Sequence, residues 1–252
     1  IDFAVFSLQM VKKICKIAKK SKLKPKMHLC LNTGMNRYGI SDKNELLKTI
    51  NILLKQNIEL AGIYTHFSSL TTDENYTERQ KRLFYELCYC LPKDWHTITH
   101  VGGGKTIFED IEAQMFRTGI EIYGYGDKNL RPVMSVKSTI VDNVSVKAGE
   151  HIGYLCGYTA QKDMRVGAIP LGYADGLPRK LSNKLSVFYK GKALSNVGNI
   201  CMDCFMIDLQ KTKSKVGDEV VIMQNAQTLA KILETTEYEV LTNFGHFRGE
   251  RK

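Results

Sequence analysis

Arginine, histidine and glycine stand at the ends of candidate strands in this 252-residue chain, and those residue types do anion chemistry. Thr33-Gly34-Met35-Asn36-Arg37 follows an apolar run, Met27 to Leu31. A guanidinium there can hold a phenolate or a carboxylate through charge-assisted hydrogen bonds. Thr65-His66-Phe67 closes a second apolar run with an imidazole. Arg117-Thr118-Gly119-Ile120 joins another guanidinium to a glycine turn, whose backbone N–H groups can cradle phosphate. Each has a plainer reading beside it. Arg37 on its own is a surface turn arginine, His66 a structural imidazole, and Tyr154 a packed strand tyrosine. Gly102-Gly103-Gly104-Lys105-Thr106 resembles a nucleotide loop, but a P-loop requires glycine where Thr99 stands. The amides of that glycine run, Gly103 among them, can still meet a phosphate. Cys201-Met202-Asp203-Cys204 has redox or metal spacing. It has no second C-x-x-C, and Cys88 and Cys90 are too close together, so no metal is expected.

The elements that must position these groups alternate. Apolar positions at Leu8, Val11, Ile14, Cys15 and Ala18 predict a helix over residues 6–20, and Leu46, Leu47, Ile50, Leu53 and Leu54 predict another over 42–56. A helix is expected over 74–91. Strands are expected over 27–31, 58–67, 97–102 and within 113–123. Helix and strand in turn imply a parallel sheet, with functional loops at the strand C-termini. After Asp127 the texture changes to short strands separated by turn signals such as Ala148-Gly149, Asp175-Gly176 and Lys190-Gly191, which is antiparallel β in style. One helix, 227–234, interrupts it. The fold class is therefore α/β plus all-β, in two domains, 1–129 and 130–252. About four β/α units precede the boundary, against the eight of a closed (β/α)8 barrel. With Ile1 rather than Met at the start, the expectation is the C-terminal half of a barrel whose front is absent.

Hydrophobic residues at 43% place the chain among globular proteins. A formal charge of +10 raises the question of nucleic acid. The lysines are scattered apart from a cluster between Lys12 and Lys26, and no nucleic-acid motif accompanies them. Small anions are the expected beneficiaries of that charge. No apolar run reaches the roughly 20 residues that span a bilayer. Seven cysteines, an odd number, suit free thiols in a reducing cytoplasm.

The ordered set Asn32-Thr33-Gly34-Met35-Asn36-Arg37-Tyr38-Gly39-Ile40, Thr65-His66-Phe67, Arg117-Thr118-Gly119-Ile120-Glu121-Ile122-Tyr123-Gly124 and Gly198-Asn199-Ile200-Cys201-Met202-Asp203 resembles the pyridoxal-phosphate amino-acid racemases of the alanine racemase family. The resemblance implies a head-to-tail homodimer, a cytoplasmic location, a small amino-acid substrate and a role in making D-alanine as a peptidoglycan precursor. It implies that Arg37 sits beside the cofactor hydroxyl and the substrate carboxylate, and that His66 stacks near the cofactor ring. Arg117 would face the ring nitrogen, while Gly119 and Ile120 would bind phosphate. Gly153-Tyr154, followed by Tyr158-Thr159-Ala160, resembles the segment with the second catalytic base, which makes Tyr154 that base. Tyr173, Met202 and Asp203 would line the substrate site. Serine or a basic amino acid are alternative substrates, and a non-catalytic module is the alternative class.

Four departures stand out. Cys30 occupies the place of a lysine that steadies Arg37 in the family. Glycines replace an Asn-Ser pair near Gly102. His246 and Phe247 stand where a phosphate-binding tyrosine is usual, and Arg248-Gly249-Glu250-Arg251 replaces Arg-x-Pro-Arg. The signature Lys-Ala-x-Ala-Tyr-Gly, whose lysine holds the cofactor, occurs nowhere in the chain, so the chain by itself is expected to be inactive.

Overall fold

The computed structural model describes residues 1–244. The backbone divides into two compact units. One comprises Ile1–Ile122 with Gly126–Lys128; the other comprises Tyr123–Tyr125 with Asn129–Lys252.

In the first unit five parallel strands follow one another in spatial order: β1 (Asp2–Val5), β2 (Lys26–Cys30), β3 (Leu60–His66), β4 (Ile98–Gly102) and β5 (Met115–Arg117). Helices α1 (Leu8–Ser21), α2 (Lys43–Lys55) and α3 (Glu74–Cys88) connect the first four. A sheet wound in sequential order with helical crossovers is an arc of a barrel. Each helix begins where a short polar side chain caps it. Ser7 accepts from the Met10 N–H at 3.3 Å, Asp42 from Glu45 at 2.9 Å and Asp73 from Tyr76 at 2.9 Å. The buried stripe of α1, Val11, Cys15 and Ala18, has the i, i+4, i+7 spacing of one helical face. Phe84, Leu46, Leu53, Met27, Leu29 and Ile63 fill the core between helices and sheet.

Two expectations need correction here. The sheet has five strands, because Asp2–Val5 pairs with Lys26–Leu29. Three of its four residues are exposed, so it carries no apolar pattern to read. Helix α3 stops at Cys88 rather than residue 91, because Leu91 precedes Pro92 and the α conformation is disfavoured before proline.

The second unit is antiparallel. Strands β6 (Val136–Thr139), β7 (Asp142–Val146), β8 (His151–Ile152), β9 (Tyr158–Thr159), β10 (Met164–Ile169), β11 (Ser186–Tyr189), β12 (Lys192–Ser195), β13 (Phe205–Asp208) and β14 (Glu219–Met223) form three sheets. Their orders are β13-β10-β7, β12-β11-β14-β6 and β8-β9. Alternation sets the buried face, with Phe205 and Ile207 inside on β13. Helix α4 (Ala226–Leu233) falls within one residue of its expected span. A further helix, α5 (Glu237–Asn243), buries Val240 and Leu241 and is too short for periodicity to reveal. Among the described residues no helix is long and apolar enough to cross a membrane.

Candidate active site

The C-terminal ends of β2 to β5 carry the site of the first unit. Parallel register sets who stands beside whom. Cys30 pairs with Tyr64, Tyr64 with His100, and Gly102 with Arg117. Because side chains alternate faces, His28, Tyr64, His66, His100 and Arg117 line a cavity of about 970 Å³ that Arg37 also borders.

Arg117 is the best-held side chain there. Its Nη1 donates to His100 Nδ1 at 2.6 Å and its Nη2 to the Thr65 carbonyl at 2.7 Å. The guanidinium also lies over the Tyr64 ring, 4.6 Å from its centre. Since a guanidinium only donates, His100 Nδ1 must be the acceptor, and its Nε2–H is left to donate to His28 Nδ1 at 2.8 Å. His28 Nε2 lies 3.4 Å from Asp2 Oδ2. Burial, with the Arg117 charge second, lowers the pKa of His100 to about 4, so the ring is neutral near pH 7. His66 is lowered by burial and then by Arg117 and Arg37.

Glycine makes this crowding possible. A Cβ on Gly102 would lie 2.7 Å from Arg117 Nη2 and 2.9 Å from His66 Nδ1, and one on Gly62 would lie 2.2 Å from His28 Nδ1.

Arg37 projects from the loop after β2, which Asn32 organises by accepting the N–H groups of Gly34 and Asn36 at 3.2 and 2.9 Å. Its guanidinium sits 4.7 Å over the Tyr38 ring, itself 4.5 Å from Phe6. At the family's lysine position, Cys30 is buried, and that burial raises its thiol pKa, so it offers Arg37 no negative charge. An aromatic stack thus backs Arg37 where a lysine was expected.

The Gly119 turn is already in use. Gly119 N–H donates to Glu121 Oε2 at 3.1 Å, and Lys105 N–H, beside Gly103 and Gly104, donates to Oε1 at 2.6 Å.

In the second unit Tyr154, Tyr173, Met202 and Asp203 line a separate cleft of about 770 Å³ with Arg179. Tyr154 is 72% exposed. Its carbonyl accepts from Asn199 Nδ2 at 2.8 Å, and Leu155 and Cys156 follow it at φ 58° and 51°. Tyr173 N–H donates to Cys201 O at 3.1 Å and Ala174 N–H to Met202 O at 2.9 Å. These bonds lock the two loops together, and Gly172 permits it, since a Cβ there would lie 2.3 Å from the Met202 backbone.

The sequence profile of the alanine racemase N-terminal domain matches residues 1–127, and that of the C-terminal domain matches 133–252. An alanine racemase of Clostridium tetani is 33% identical over 95% of this chain and 68% of its own length. The chain belongs to the alanine racemase family. The alanine racemase of Clostridium difficile 630 shares its fold with a TM-score of 0.88 at 32% identity, over 96% of this chain and 68% of that one. The Bartonella henselae alanine racemase, described with covalently bound pyridoxal phosphate, superposes with a TM-score of 0.84 at 26% identity, over 97% of this chain and 71% of its own.

Within the racemase fold, the first unit gathers Arg37, His66 and Arg117 at one sheet edge, with Gly103, Gly119 and Ile120 in the adjoining loops. The second unit gathers Tyr154, Tyr173, Met202 and Asp203. Residue patterns missed His28, Tyr64 and His100 as site residues, and the Thr65 carbonyl as a partner of Arg117. The available signal for the side chains was polar residues on one face of apolar strands, and only register shows that they meet. His246, Phe247 and the run Arg248 to Arg251 lie outside the described residues. Among the described residues no group of three or more His, Cys, Asp or Glu is placed to hold a metal ion.

Arg117, fixed by three partners, fits the ring end of the family's cofactor: a permanently charged donor is suited to a neutral ring nitrogen. At the other end the Glu121 carboxylate accepts the Gly119 amide, one of those that the resemblance assigns to phosphate, together with the Lys105 amide.

Proposed function

We propose that the chain serves pyridoxal-phosphate-dependent racemisation of an amino acid, L-alanine to D-alanine, with serine or a basic amino acid as alternatives. The observation that carries this reading is the anchored Arg117 beside the neutral His100 towards the C-terminal edge of a parallel sheet, in a chain of this family. When bound, the cofactor supplies electron withdrawal that makes an α-proton removable. Arg117 keeps a ring nitrogen unprotonated, which moderates that withdrawal and favours proton return over side reactions. His66, neutral and beside Arg117, shapes the site. Arg37 holds the substrate carboxylate.

Two bases on opposite faces of the α-carbon are proposed, Tyr154 for one face and a lysine for the other. The 72% exposure of Tyr154, with Leu155, Met202 and Tyr173 exposed beside it, supports a head-to-tail dimer in which it serves the partner's site. A tyrosine base needs neighbouring charge to act well below its ordinary pKa of about 10. The functional division is proposed at 1–129 and 130–252. No lysine of the 252 stands in the cofactor-binding signature, so the chain alone is proposed not to racemise.

The test is α-proton exchange in deuterated buffer, followed by proton NMR. The chain with pyridoxal phosphate is compared with the same chain carrying an added N-terminal segment that bears the Lys-Ala-x-Ala-Tyr-Gly signature. The fusion is expected to exchange alanine fastest and the chain alone not at all. Faster exchange of serine or lysine moves the reading to that substrate. Exchange by the unfused chain overturns the need for the missing lysine, and no exchange by either overturns the racemase reading.

A further inference from the structure

Glu121 is only 7% exposed, and its carboxylate is held by backbone rather than by a cation. Oε1 accepts the Lys105 N–H at 2.6 Å and Oε2 the Gly119 N–H at 3.1 Å. The two donors come from different loops, one leaving β4 and one leaving β5, yet both converge on a single anion. Two glycines flank it: a Cβ on Gly126 would lie 3.3 Å from Oε1, and one on the exposed Gly104 3.9 Å away. Two converging amides in a glycine-lined hollow match the edge of a phosphate monoester as well as they match a carboxylate. Two anions cannot share the hollow, because like charges at such a distance exclude one another.

We propose that Glu121 plugs this anion seat from within the chain, and that a phosphate-bearing ligand gains the Gly119 and Lys105 amides only by displacing the Glu121 side chain. The proposal rests on the cofactor assignment above, to which it adds a specificity residue. While Glu121 is in place, the loop pair rejects a dianion and tolerates a ring compound without phosphate. Once Glu121 is removed, two half-buried N–H groups lose their shared acceptor, and anion binding becomes the way to restore it.

The experiment uses the whole chain, Glu121→Ala and Glu121→Gln. Each is titrated with inorganic phosphate while the thermal midpoint and the amide NMR shifts of Lys105 and Gly119 are followed. The unsubstituted chain is expected to show neither response. Glu121→Ala is expected to start with a lower midpoint and to regain it with phosphate, at an affinity at least about tenfold tighter than the parent. Its Lys105 and Gly119 amides are expected to shift, and unphosphorylated pyridoxal to restore nothing. Glu121→Gln, which keeps the size and loses the charge, is expected to respond in the same direction more weakly. Equal phosphate affinity in parent and variants overturns the plug. No response in any variant overturns the seat. If Glu121→Ala does not fold, the comparison of Glu121→Gln with the parent decides alone. None of these readouts depends on α-proton exchange, so failure here is distinguishable from failure of the racemase reading.

Discussion

At the scale of single residues, charge and tautomer decide what the site can do. Arg117 cannot accept a hydrogen bond, so it fixes the proton on His100 at Nε2 and passes that order on to His28. Burial first, and the Arg117 charge second, disfavour a positive charge on His100 and lower its pKa to about 4, against an ordinary 6.5. The unfolded ring takes up its proton first as the pH falls. Stability is therefore complete above about 6.5, declines between about 6.5 and about 4, and has nothing more to lose from this group below that. The lowered pKa of His66 adds to the same decline. Urea midpoints measured from pH 7.5 to 4 should fall through this window, and His100→Asn should flatten the slope; an unchanged slope would show that another group governs it. Tyr154 allows a kinetic prediction. In the fused form, Tyr154→Phe should slow racemisation by about 10²–10⁴-fold, as loss of a positioned base does. Exchange should be lost for one enantiomer and kept for the other, because each base serves one face. Parental rates for both would make Tyr154 a packing residue.

At the scale of elements, strand ends and the glycines between them hold the groups in place. At Gly102 an added Cβ would meet the ends of the Arg117 and His66 side chains, 2.7 and 2.9 Å away, so those anchored groups would have to shift. Gly102→Ala should push Arg117 and His66 apart and cost about 1–3 kcal/mol, the usual range for overpacking. Gly104→Ala is the matched control: its Cβ has its nearest neighbour at 3.9 Å, so its effect should stay within about 0.5 kcal/mol. Chemical denaturation of the two variants settles the comparison, and similar losses would remove Gly102 from the account. Legibility also differed by element. Helices α1 and α2 declared themselves through apolar spacing. Strand β1 did not, because only Val5 of its four residues is buried.

At the scale of the molecule, the first unit's sheet has two ends. Strands β1 and β5 each pair with one neighbour among the described residues, and they expose Phe3 and Met115 at 47% and 40%. Free edges of this kind pair with other chains. The isolated chain should therefore associate with rising concentration in sedimentation experiments, and Phe3→Lys should reduce that association. A soluble monomer with one sharp unfolding transition would contradict the prediction.

The sequence by itself determined the alternation that makes a parallel sheet, the change to antiparallel β after Asp127, and the placing of Arg37, His66 and Arg117 at strand ends. Those are local properties, written in periodicity and turn residues along one stretch of chain. Tertiary structure alone decided that Arg117 is held by His100 and Thr65, that Tyr38 backs Arg37, and that Glu121 fills the hollow beside Gly119. The physical reason lies in register. A strand's own residues fix which face each side chain takes, but its neighbours across the sheet depend on how far one strand is slid against the next, and a shift of one residue would send His100 to the opposite face from Arg117.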